Sequence, residues 1–136
     1  MQRLVEDAGL AAQVVIDSAG TGAYHSGELP DARSRVAAHR RGIELTHRAR
    51  QFVVADLDRF DLVLAMDQQN LRNLQRLAGS RATPVIALLR SFDATAQPDA
   101  EVPDPYAGGD DGFEDVLDQC ERACAGLLAH VRTRLP

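Results

Sequence analysis

Three short apolar runs, separated by helix-like stretches, constrain most strongly what this chain can fold into. They are Val14-Val15-Ile16, Leu62-Val63-Leu64-Ala65-Met66 and Pro84 to Leu88. None of them alternates in polarity. A run that is apolar at every position suits a strand covered on both faces, the usual environment of a parallel sheet. The reading gives strands over 13–17, 62–66 and 84–88. Residues 1–9 read as the tail of an amphipathic helix, with Leu4 and Val5 apolar, Gly9 as the stop and no N-cap in front. Asp31, after Pro30, is the N-cap candidate for a helix to Arg41, halted by Gly42. A short helix is expected over Val54–Arg59. Asp67 caps another through Ala78, closed by Gly79. The last helix runs from Phe113 to Leu135, with Val116, Leu117, Cys120, Cys124, Leu127, Leu128 and Val131 at helical spacing. Strands alternating with helices predict an α/β fold, a three-layer sandwich with helices on both faces of a parallel sheet. No repeat or linker divides residues 1–136, so one domain is expected. In such sheets ligands bind beyond the carboxyl ends of the strands, here at Asp17-Ser18-Ala19 and Met66-Asp67.

Composition narrows the function. A formal net charge of −5 argues against a nucleic-acid partner. The charge is uneven: residues 91–136 hold ten acids against three arginines, while six arginines fall between 33 and 50. All fifteen basic residues are arginine, which reads as composition bias. Cys120 and Cys124 lie one helical turn apart with no histidine cluster nearby, which makes neither a zinc site nor a disulfide frame. They are expected as small buried residues. No apolar run is long enough for a membrane helix and no signal peptide is visible, so a reduced, cytoplasmic protein without a membrane partner is expected. Two loops stand out, a glycine-rich one at 18–30 and a long Asp-, Pro- and Gly-rich one at about 90–111. Structureless loops of the second kind are usually functional or mobile.

Several segments, in order, resemble the low-molecular-weight protein-tyrosine-phosphatase family. They are Val-Ile-Asp-Ser-Ala-Gly-Thr at 15–21, Pro-Asp-Ala-Arg-Ser at 30–34, His-Arg-Arg-Gly-Ile at 39–43 and His-Arg-Ala-Arg-Gln at 47–51. Asp-Leu-Val-Leu-Ala-Met-Asp at 61–67, Asn70-Leu71 and Asp-Pro-Tyr at 104–106 complete the set. The resemblance spans almost the whole chain. It implies hydrolysis of phosphotyrosine, or a related phosphoester on a protein or small molecule, through a cysteinyl-phosphate and without metal or cofactor. It implies Asp104 as general acid and then general base. Tyr24 and Tyr106 correspond to walls of the substrate cleft, and Ser18, His47 and Asp67 to residues that hold the phosphate loop. The bland alternatives are a turn at Asp104, ordinary loop tyrosines, a strand-end turn at Ser18, a surface His47 and an N-cap at Asp67. His25, His39 and His130 are expected on the surface.

Two departures from the family pattern matter. A second aromatic often follows the tyrosine of the acid loop, and here Ala107 stands there, which weakens the preference for aromatic substrates. More seriously, family members begin with a strand and a Cys-x5-Arg phosphate loop, and no Cys-x5-Arg occurs here. Six positions after Cys120 and Cys124 stand Gly126 and His130. The expectation is a domain incomplete at its N-terminus, lacking the first central strand and the nucleophile, and inactive as written. A non-catalytic binding module is the alternative. With that strand absent, three outcomes are open: marginal stability, direct pairing of strands 13–17 and 62–66, or self-association through an open sheet edge.

Overall fold

The computed structural model describes residues 1–106 and 108–136. The expectation about Ala107 lies outside the described residues. In chain order the elements are α1 (Gln2–Asp7), α2 (Ala32–His39), α3 (Asp56–Arg59), β1 (Leu62–Ala65), α4 (Gln68–Ala78), β2 (Val85–Leu88), a 3-10 turn (Leu89–Phe92) and α5 (Asp110–Arg134). β1 and β2 pair in parallel, Leu62 opposite Val85 through Ala65 opposite Leu88.

The continuous apolar run of β1 has a direct structural meaning. Val63 and Ala65 point into a cluster with Leu74 of α4 and Leu88. Leu62 and Leu64 point the other way, against Ala123, Cys124 and Leu127 of α5. Successive side chains of a strand face opposite ways, so one four-residue strand serves both helical layers. The α/β three-layer arrangement follows from that double burial.

Capping went as the sequence reads. Asp31 accepts from the Arg33 amide at 2.8 Å and opens α2. Asp67 accepts from the Asn70 amide at 2.7 Å and opens α4, which Gly79 closes at φ 60°. α5 starts at Asp110, three residues earlier than expected, because Asp110 and Asp111 in its first turn suit the positive end of the helix dipole. Cys120 is half-buried and Cys124 buried, both as free thiols. His25 and His39 are exposed. His130 is half-buried, its ring 5.2 Å from that of Phe92, contrary to the surface position expected.

The strand expected at 13–17 does not form. Val14 closes a turn on Leu10, and residues 14–19 carry no ladder among the described residues. Val15 is 79% exposed. The physical reason is the want of a neighbour: β-branched residues favour strand only where another strand supplies hydrogen bonds and a surface to pack on. Direct pairing of this segment with 62–66 is likewise not observed. β2 is the only strand that pairs with β1 among the described residues, so one edge of β1 lacks a ladder. No helix among them is long and apolar enough to cross a membrane.

α5 is seated by two devices. Arg41, just past α2, bonds Glu114 at 2.5 Å, Asp118 at 2.8 Å and Glu121 at 3.2 Å on α5. Farther along, a β-carbon on Gly126 would stand 1.8 Å from the Phe92 carbonyl oxygen. The helix therefore touches the 3-10 turn backbone to backbone. Gly126→Ala is expected to lower unfolding free energy by about 3 kcal/mol, as overpacking does, despite the better helix propensity of alanine. Urea denaturation measures it, and an unchanged or raised midpoint would contradict this packing.

Candidate active site

The Gly-rich loop at 18–30 is stitched to residues 47–52. The Gly20 amide donates to the Arg50 carbonyl at 2.9 Å and the Phe52 amide to the Gly20 carbonyl at 2.7 Å, forming a parallel bridge between Gly20 and Gln51. Farther out, the Gly27 amide donates to the Ala49 carbonyl at 2.7 Å. This brings Ser18 and His47 to one cavity of about 210 Å³, lined also by Ala19, Gly20, Pro30 and Ala49. His47 Nε2 lies 3.3 Å from the Ser18 carbonyl oxygen and 3.2 Å from Asp17 Oδ1.

Asp17 is the hub beneath that cavity. Its carboxylate also accepts from its neighbour's amide (Ser18, 2.8 Å) and from Arg50 Nε at 3.2 Å. Arg50 in turn grips Asp56 through two nitrogens, at 2.9 and 3.1 Å. Asp56 is 1% exposed and also accepts from the Val53 amide at 2.8 Å. The chain His47–Asp17–Arg50–Asp56 thus runs from the cavity into the start of α3. Sequence reasoning missed its inner half. The signal was a short helix opening Ala55-Asp56-Leu57 whose aspartate had to face the core, with the arginine of 47–51 as its partner.

Asp104 sits on the second loop. Residues just before it are tied to the carboxyl end of β1: the Val102 amide donates to the Met66 carbonyl at 2.7 Å, and Glu101 accepts from the Gln68 amide at 3.3 Å. Asp104 Oδ1 accepts from the Tyr106 amide at 3.0 Å, an Asx turn. A turn from the Gly108 amide to the Pro105 carbonyl, at 3.0 Å, follows. Asp104 is exposed, and Tyr106 is 69% exposed. Asp67 begins α4 directly beyond Met66, half-buried and engaged as the cap. Tyr24 is 92% exposed, and its ring lies over Gly22, where a β-carbon would stand 2.8 Å from Tyr24 Cε2. Of the six residues singled out from sequence, Ser18 and His47 share the cavity. Asp67 and Asp104 belong to segments joined at the end of β1. Tyr24 and Tyr106 stand on the two loops and do not line that cavity. No cluster of three or more His, Cys, Asp or Glu able to hold a metal ion occurs among the described residues.

The Arg50 hydrogen bond holds the Asp56 carboxyl below its ordinary value of 3.8, against the opposing effect of burial. A carboxyl lowered by folding adds stability that is present above its unfolded value and lost as pH falls through the folded one. Asp56→Asn is therefore expected to cost on the order of 3 kcal/mol near pH 6, since it leaves Arg50 without its buried partner. The gap from the unsubstituted chain should close below pH 3.8. Urea midpoints across pH 2–7 measure it, and a pH-independent gap would contradict the assignment.

Residues 1–135 match the family model described as low molecular weight phosphotyrosine protein phosphatase. A low molecular weight protein-tyrosine-phosphatase of Streptomyces coelicolor is 50% identical over 133 residues, covering 96% of this chain and 81% of that protein. A crystal structure of a protein tyrosine phosphatase from Entamoeba histolytica superposes with a TM-score of 0.91 at 32% identity, over 97% of this chain and 84% of the other. An arginine phosphatase of drosophila superposes at 0.86 and 30% identity, over 96% and 84%. A sheet strand buried on both faces, a loop carrying Asp-Pro-Tyr tied to its carboxyl end, and these matches together place the chain in the low molecular weight phosphotyrosine protein phosphatase family.

Proposed function

We propose that residues 1–136 form one phosphatase domain whose site serves hydrolysis of a phosphate monoester, phosphotyrosine first, on a protein or small molecule. In the reaction a thiolate attacks phosphorus and the phosphorus–phenolate bond breaks. The Asp104 carboxyl gives its proton to the departing phenolate oxygen. As carboxylate it then takes a proton from the water that attacks the phosphocysteine, which frees phosphate and restores the thiolate. Ser18, His47 and Asp67 hold the phosphate loop, and Tyr24 and Tyr106 flank the substrate ring. The observation that supports the reading is the Val102–Met66 hydrogen bond, which ties the segment leading into Asp104 to the carboxyl end of β1, where ligands of parallel sheets bind. Asp104 Oδ1 is used in the Asx turn, which leaves its other oxygen to face a leaving group.

No Cys-x5-Arg, the spacing that would supply the nucleophile and the phosphate-cradling arginine, occurs in these 136 residues. The two thiols present do not fit the task. Burial, then the neighbouring Cys124, pushes the Cys120 thiol up to about 11, and Cys124 is buried in the core. A phosphatase nucleophile needs the opposite, a thiolate at neutral pH. A reducing, cytoplasmic setting suits two free thiols. The second reading, a non-catalytic module that binds a phosphorylated partner, draws on the same absence of a nucleophile.

The 136-residue chain is expected to show no vanadate-sensitive turnover of p-nitrophenyl phosphate. Fusing a strand and a Cys-x5-Arg loop ahead of Met1 should create it, and Asp104→Asn in that polypeptide should then lower kcat by about 10²–10⁴-fold. Appreciable turnover by the chain alone would overturn the absence of a nucleophile, whereas tight calorimetric binding of a phosphotyrosine peptide would favour the second reading. In iodoacetamide labelling at pH 7.5, both cysteines should react at least tenfold faster after unfolding. Rapid modification of the folded chain would reopen the question of a nucleophile.

A further inference from the structure

We propose that Arg33 is the positioning residue of the acid loop. Its guanidinium joins three elements at once. At its root on α2, Nε and Nη2 each lie 3.2 Å from an oxygen of the N-cap Asp31. On the far side, Nη2 donates to the Tyr106 carbonyl at 2.9 Å and Nη1 to the Gly108 carbonyl at 3.4 Å. Its Cζ lies 4.5 Å from the ring centre of Phe113, a buried residue of α5, and 5.6 Å from that of Tyr106.

The arrangement has a specific result at Asp104. The amide of Tyr106 donates to Asp104 Oδ1, and the carbonyl of the same residue accepts from Arg33. Residue 106 is held from both sides, and the carboxyl takes its heading from a residue that Arg33 fixes. Asp104 and Tyr106 are exposed, and the Pro105–Gly108 turn is internal to the loop. Arginine is required for geometric reasons. One planar fork reaches the cap carboxylate and two carbonyls while stacking on an aromatic ring, and a lysine ammonium reaches only one of these at a time. The hydrogen bond between Arg33 and Asp31 raises the Arg33 guanidinium and lowers the Asp31 carboxyl from their ordinary values.

The inference rests on the reading of Asp104 as the acid, but its test does not use turnover. In the 136-residue chain, NMR follows the Tyr106 amide proton as Asp104 titrates, since an amide bonded to a carboxylate shifts as that carboxylate ionises. Arg33→Met is expected to reduce the amplitude of that shift at least twofold, with Arg33→Lys intermediate. The amide of residue 33, bonded to Asp31, should keep its own titration, because loss of the cap alone would not move Tyr106. Should Arg33→Met fail to fold, Arg33→Lys alone decides. An unchanged Tyr106 amplitude in the folded variants would overturn the role of Arg33. Asp104→Asn is the control and should abolish the shift. If the shift persists there, the Asx turn is absent and the proposal falls with it. Failure of the acid assignment itself registers elsewhere, as an unchanged kcat for Asp104→Asn in the extended polypeptide.

Discussion

Everything in this molecule is arranged around the double burial of β1. A strand of four residues supplies Val63 and Ala65 to one helical layer and Leu62 and Leu64 to the other. Full burial of each such side chain contributes on the order of 1.5–3 kcal/mol, and here the contribution is split between two cores. Displacing the strand therefore loosens both layers at once. Its carboxyl end is correspondingly fixed, and that end is where Met66 receives the segment leading to Asp104 and where Asp67 begins α4.

From that fixed point the site is assembled by two different kinds of attachment. The loop at 18–30 is joined to 47–52 by backbone hydrogen bonds and underpinned by the buried Arg50–Asp56 pair. The segment leading into Asp104 is joined to β1 by a backbone hydrogen bond at Val102, and beyond Asp104 the Arg33 side chain bonds the carbonyls of Tyr106 and Gly108. One side of the site is thus built like a sheet edge and the other like a tethered strap. Asp104, the proposed general acid, lies on the second kind of attachment, which suits a group that has to approach a leaving group.

Much of this was legible in the residues. β1, β2, the caps Asp31 and Asp67 and the stop at Gly79 follow from apolar continuity and cap chemistry, which are local. The strand expected over 13–17 was misread for the same reason: its Val-Val-Ile core is a sound local signal, but a ladder requires a partner that local pattern cannot supply. The start of α5 shifted because two aspartates read as loop composition serve equally well in a first helical turn. Site residues divided in a similar way. The site roles of Asp104, Tyr106, Ser18, His47, Asp67 and Tyr24 were named through resemblance alone. Arg33, Arg50 and Asp56 were not singled out, because their importance lies in bonds to residues up to 75 positions away, and one arginine among fifteen carries no mark in the sequence.

The contact between Gly126 and the Phe92 carbonyl has a mechanical consequence for the strap. With an oxygen standing where a side chain would begin, α5 has no room to rotate or slide against the 3-10 turn, and Arg41 clamps its other half. The strap therefore leads into a helix that is held along both halves, by backbone contact at one and by an arginine at the other.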